Sequence, residues 1–147
     1  MPDRGQVMDD RFFSKELAEL LDTIQIKIIM RYKFEKLDVW KISLDLSDLI
    51  YEIAAQLPDI ERFNLQSQII RASTSISLNI AEGSTSQTDA QQSQFIGYAI
   101  RSLVEVIACK RHIERRNYIA DENQLAKTEN FCDTLFIKLQ AFKNALR

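Results

Sequence analysis

From Leu37 onward, apolar and polar positions alternate with the period of an amphipathic helix. Ile42, Leu46, Leu49, Ile53 and Leu57 recur every three or four residues, one face of a helix, and Pro58 ends the run. Trp40, Leu44 and Tyr51 form a second stripe on another side of the same helix. One stripe is enough to pack a bundle helix. A second implies another partner, which makes these three residues candidates for an interface between copies. The next segment is ambiguous over SISLNIAEG, where Ile76, Leu78 and Ile80 alternate as a half-buried strand would. The longer register favours a helix. Leu65, Ile69, Ala72, Ile76 and Ile80 step by four, three, four and four, so a helix is predicted from about Phe63 to Glu82. Gly83 is then expected at the C′ position with a positive φ. Ser73, Ser75 and Ser77 are small enough to let a neighbouring helix come close.

Two more helices follow. Thr88-Asp89-Ala90-Gln91 fits a capping box, and Phe95, Ala99, Leu103, Val106 and Ile113 form the stripe of a helix running to about Arg116, with Asn117 as its stop. Ile96, Ile100 and Ile107 lie beside that stripe. At about 1.5 Å per residue this helix would be roughly 40 Å long. Asp121-Glu122-Asn123-Gln124 opens a last helix with Leu125, Cys132, Leu135, Leu139, Phe142 and Leu146 inward. Four long helices with short links predict an all-α fold, an antiparallel up-down-up-down four-helix bundle over residues 34–147. Residues 1–33 form an extra N-terminal segment. Ser14 would cap a helix there with Leu17, Leu21, Ile24 and Ile28 inward, ending near Ile29, although the alternation from Ile24 to Phe34 also fits a strand.

Composition narrows the class. Three Gly and two Pro disfavour a turn-rich β fold, and no apolar run approaches the roughly 18 residues of a membrane span. The polar, acidic start MPDRGQVMDD is not a secretory signal, so a cytoplasmic protein is expected. Cys109 and Cys132, each within a helical pattern, read as buried free thiols, with a disulfide as the lesser alternative. Residues 1–29 carry the whole net charge of −2, and the remainder is balanced. That balance does not announce a nucleic-acid binder.

The order Phe34-Glu35-Lys36-Leu37-Asp38-Val39-Trp40, Leu57-Pro58, Glu61-Arg62-Phe63, Leu65, Ser67-Gln68, Arg71-Ala72, Ser75-Ile76 and Asn79-Ile80-Ala81-Glu82-Gly83 resembles the four-helix-bundle family of 23S rRNA intervening-sequence proteins. The resemblance spans about residues 30–147. It implies a small cytoplasmic bundle that forms a ring-shaped homo-oligomer, classically a pentamer, in bacteria. A related branch comprises accessory proteins of diversity-generating retroelements, which bind nucleic acid and a reverse transcriptase. The resemblance therefore implies itself, RNA or DNA, and a reverse transcriptase as partners. The family pattern begins near Met30, so residues 1–29 read as an upstream extension, a misplaced start or a true appendage, and the bundle is expected to fold without them.

Candidate chemistry is sparse. Asn79 and Glu82 stand one turn apart at a helix end, where the macrodipole disfavours a carboxylate, so Glu82 is expected to find a compensating partner. With Gly83 they read as a structural clasp on the link rather than a catalytic pair. His112 is the sole histidine, and there is no zinc spacing, P-loop or Gly-rich cradle, so neither catalytic residues, metal nor cofactor is expected and the chain is read as a non-enzyme. Arg101, Lys110, Arg111, Arg115 and Arg116 concentrate positive charge on the third bundle helix, with Arg62 and Arg71 available to join them. They are candidate phosphate contacts, repeated around any symmetric ring. They are equally a solvated helix face paired with Glu105 and Glu114. The alternative to nucleic-acid binding is a protein–protein adaptor.

Overall fold

Leu78 decides between strand and helix. Ile76 and Ile80 are fully buried while Leu78 between them is exposed. In a strand all three would share a face; on a helix Leu78 turns away. The structure, a computed structural model that describes residues 10–146, has five α-helices: α1 (Asp10–Arg31), α2 (Asp38–Ala54), α3 (Leu65–Gly83), α4 (Asp89–Arg115) and α5 (Glu122–Ala145). Short 3-10 turns stand at Lys33–Lys36 and Asp59–Glu61, and no strand occurs among the described residues.

The chain divides into two units, Met1–Tyr32 and Lys33–Arg147. The first contains α1. This helix begins before Ser14, which therefore lies inside it and does not cap it. Leu17, Leu21 and Ile24, expected inward, are exposed, together with Phe12, Phe13 and Leu20. Residues 1–9 and the side chain of Ile28 lie outside the described residues.

In the second unit α2 and α4 each pack against both α3 and α5, so the four helices enclose one core. Leu46, Ile50 and Ile53 of α2, Ile69, Ile76 and Ile80 of α3, Ile96, Leu103, Val106 and Ile113 of α4, and Cys132, Leu135 and Leu139 of α5 have no exposed surface. Each Ile or Leu so buried contributes roughly 1.5–3 kcal/mol. The face of α2 is turned slightly from the predicted one. Ile50, outside the predicted stripe, is fully buried, whereas Ile42 is only partly so.

The α3–α4 pair makes the most extensive contact in the bundle. Ala72, Ser73 and Ser77 of α3 and Ala99 of α4 are buried, and the Ser102 hydroxyl donates to Ser75 Oγ across the seam at 2.9 Å. The predicted role of Gly83 is corrected here. No glycine has a positive φ among the described residues, and Gly83 is the last residue of α3 itself. A Cβ at Gly83 would lie 2.9 Å from Phe95 Cβ, so glycine is required by the closeness of α4, not by a left-handed cap. The helix ends instead on hydroxyls: Ser84 Oγ donates to Ala81 O and Thr85 Oγ1 to Glu82 O.

The left-handed residue is Asn117, with φ 54°. Its N–H donates to Glu114 O and the Tyr118 N–H to Ile113 O, the paired bonds of a Schellman stop at the predicted end of α4. At the start of α4, Thr88 Oγ1 accepts from Gln91 N–H, and Gln91 Oε1 accepts from Gln87 N–H, one residue before the expected position. Asp121 Oδ1 caps α5 by accepting from the N–H groups of Asn123 and Gln124.

Alanine or valine at Gly83 is expected to lower stability, valine by roughly 1–3 kcal/mol, because either side chain overpacks the seam. In an unstrained helix Gly→Ala is instead stabilising by about 1 kcal/mol. Thermal denaturation of Gly83→Ala gives the sign, and a raised melting temperature would rule out the close approach.

Candidate nucleic-acid interface

The register of α4 decides which of its cations reach solvent. Leu103, Val106 and Ile113 are buried, and the step missing from this series is position 110. Lys110 takes it and is only 2% exposed. Its ammonium pairs with Glu114 one turn on and with Glu129 Oε2 of α5 at 2.6 Å. Arg111 grips the same Glu129 with both arms of its guanidinium, at 2.6 and 2.9 Å. This fork, despite opposing burial and with help from Lys110, holds the Glu129 carboxyl down to about 2. Lys110 is therefore an interior residue and not a surface phosphate contact, and Arg111 is committed to a carboxylate.

The remaining arginines are dispersed. Arg71 lines an α3–α4 groove of about 640 Å³ with Ser75, Asn79, Glu82 and Glu105. Arg101 lines a different groove, of about 410 Å³, with Tyr98, Gln140 and Lys143. Arg115 is exposed and makes no ion pair among the described residues. At one end of the bundle Arg116 reaches Glu61, and Arg62 follows Glu61 in the chain.

That end is organised by Glu61, which sequence reasoning quoted only as part of a motif. It closes the 3-10 turn after α2 and is buried. Its Oε2 accepts from Asn64 Nδ2 at 2.9 Å and from the Leu65 N–H at 3.4 Å, while Oε1 accepts from the Tyr118 hydroxyl at 3.1 Å and lies 4.0 Å from Arg116 Nε. Burial opposes its charge, but these donors and Arg116 outweigh it and leave the carboxyl below its ordinary range. Burial and the same contact push the Tyr118 phenol up. Arg62 is exposed, its guanidinium 5.6 Å from the Phe63 ring centroid. Arg116 also lines a cleft of about 290 Å³ with Asn64, Leu65, Gln68, Glu105, Cys109 and His112.

Asn79 and Glu82 do not clasp the link. Asn79 Nδ2 donates back to Ser75 O and Oγ within α3, and Glu82 is exposed with no ion pair among the described residues. Solvent takes the place of the expected compensating partner, because the carboxylate stands outside the seam. Of the second α2 stripe, Leu44 and Tyr51 are exposed, but Trp40 packs partly on the core with its ring 4.9 Å from that of Phe34. Both cysteines are free and buried, and burial raises the Cys109 thiol and pushes that of Cys132 up to about 12. Among the described residues no group of three His, Cys, Asp or Glu is placed to hold a metal ion, and no helix is long and apolar enough to cross a membrane.

Comparison with known proteins places this geometry. A family model described as "23S rRNA-intervening sequence protein" matches residues 35–141. The bundle is similar to the crystal structure of a protein of unknown function from the S23 ribosomal protein family of Bacteroides thetaiotaomicron VPI-5482. The two are 24% identical with a TM-score of 0.65, over 71% of this chain and 97% of that one. No curated protein matches the chain.

Glu129→Gln is expected to cost roughly 1–3 kcal/mol at neutral pH, less than the ~3–5 kcal/mol of a fully buried pair because Lys110 keeps Glu114. Unfolded, Glu129 takes its proton near 4.5; folded, it resists until about 2. Its stabilisation is therefore complete above about pH 4.5 and disappears as pH falls toward 2. Melting temperatures of the two proteins should differ by a constant amount at neutral pH and converge between about pH 4.5 and 2.

Proposed function

The chain belongs to the 23S rRNA-intervening sequence protein family, and from that footing we propose that it is a non-enzymatic, homo-oligomeric bundle that binds RNA or DNA through arginines at one bundle end. The observation that carries this reading is the contact of Arg116 with the buried Glu61, whose neighbour in the chain, Arg62, is exposed on the same turn. Arg115, next to Arg116, is exposed and adds a second cation at the end of α4. Arg71 and Arg101 face other grooves and serve as outlying contacts. Affinity is expected to be modest, since the bundle's charges balance and non-specific contacts usually give micromolar or weaker binding at physiological salt.

Assembly is supported by the apolar side chains of Leu44 and Tyr51 on α2, Val104 on α4 and Ile137 on α5, all exposed. A ring of copies, a pentamer in the reading drawn from the resemblance, would cover such surface and multiply each arginine cluster. The same exposed side chains favour a second reading, an adaptor for another protein such as a reverse transcriptase. Localisation in the bacterial cytoplasm belongs to the same proposal.

Light scattering at micromolar concentration should give a particle several times the 17.1 kDa chain mass; a monomer contradicts the assembly. Replacing Arg115 and Arg116 by Ala should lower affinity for all sequences about equally. The same change should flatten the dependence on salt by roughly one counterion for each phosphate that is no longer neutralised. Gel shifts at low salt that show no complex with rRNA fragments, single-stranded RNA or duplex DNA would leave only the adaptor.

A further inference from the structure

The turn between α2 and α3 holds two large apolar side chains almost wholly in water, Ile60 at 82% and Phe63 at 90% exposure. A loose loop could turn such residues inward. This one is fixed, because Glu61 lies between them, buried, and bonds to Asn64, Leu65 and Tyr118. Its backbone is held as well, with Glu61 N–H donating to Pro58 O, Arg62 N–H to Asp59 O and Asn64 N–H to Glu61 O. The turn thus presents an aromatic ring on a rigid support and bears the full cost of leaving it wet.

We infer that Phe63 is a stacking platform for an unpaired base of single-stranded nucleic acid, with Arg62 at its ring and Arg116, held at Glu61 of the same turn, for the adjoining phosphates. This rests on the nucleic-acid reading proposed above and deepens it. Arg62 lies over the ring at 5.6 Å, and at 90% exposure the ring remains open to a second planar group. Base stacking on an aromatic side chain, with arginine alongside, is the common means of holding single strands. Inside a duplex no such base is offered, since each is already stacked on both sides. Asn64, the next residue, opens onto the cleft of about 290 Å³ that Gln68, His112 and Arg116 also line. That volume is close to the lower limit for small-ligand sites, roughly 300 Å³. One Asn64 Nδ2 hydrogen goes to Glu61, which leaves the other as a donor and Oδ1 as an acceptor, while Gln68 likewise brings both a donor and an acceptor to a base edge. Ile60 alone would suit an apolar protein surface equally well. Arg62 at the ring and Arg116 in the polar cleft decide for a polyanion with planar bases, although the exposed carboxylates of Asp59 and of Glu105, which also lines the cleft, stand against it.

The full chain is titrated by fluorescence anisotropy with three labelled probes: an oligouridylate, an abasic strand of the same length, and a duplex. Phe63→Leu keeps an apolar side chain and removes the π face. It should weaken oligouridylate binding roughly 10-fold or more while leaving the abasic strand and the duplex unchanged, and Phe63→Tyr should restore it. The Arg115→Ala/Arg116→Ala protein should bind all three probes more weakly. If that protein is impaired but Phe63→Leu binds oligouridylate like the parent, the stacking platform is wrong and the nucleic-acid reading survives. If Phe63→Leu lowers the particle mass without changing oligouridylate affinity, the turn is a protein contact and the inference is overturned. If the parent protein binds none of the three probes, both readings fall.

Discussion

The closeness of α3 to α4 is the constraint on which the bundle is built. Small residues along the seam let two backbones approach, and at Gly83 the approach excludes even a methyl group. Interiors packed at this density do not deform gradually, so the seam fixes the relative position of the two helices within narrow limits. The polar bond from Ser102 to Ser75 lies in the same seam and aligns the helices along their length. The other two helices close on this pair, with α2 against α3 and α5 against α4.

Fixing α3 and α4 also fixes their ends, where buried charge has to be reconciled. Glu61 stands beyond the N-terminus of α3 and takes donors from the start of α3 and from the turn after α4. One carboxylate therefore joins two connections distant in sequence, and it holds Arg116 at the turn that carries Arg62. Lys110 and Glu129 make the corresponding link between α4 and α5. A lone buried ammonium would be untenable, but two carboxylates at its nitrogen and the Arg111 fork on Glu129 make a network in which each member is satisfied.

These two networks change what the basic residues can do. A cluster counted along α4 looks like one patch of five cations. Folded, Lys110 is interior, Arg111 is committed and Arg101 faces another groove, while Arg62 arrives from a different part of the chain. The surface that remains is smaller and more particular than a charge count implies. It combines an aromatic ring with Arg62 over it, Arg116 held at Glu61 and a polar cleft that also carries Glu105, in place of a general positive field.

What the sequence determined by itself was whatever depends on local periodicity. The stripes of α3 and α5, those of α2 and α4 to within a small turn of the face toward Ile50 and Ile96, the caps at Thr88 and Asp121 and the stop at Asn117 follow from spacing of three and four and from neighbours within a turn. The interior place of Lys110 was also written there, in the missing step between Val106 and Ile113, but residue type spoke against register. Only the tertiary structure decided the rest, because it depends on what other helices bring. Gly83 was read as a cap because its own helix cannot reveal Phe95 of the next. Glu61 gave no sign of burial, since its partners include Tyr118 and Arg116, more than fifty residues away in sequence. Spacing along a chain records the face a residue occupies; which charges meet across helices is set by packing, and packing brings residues together without regard to their separation.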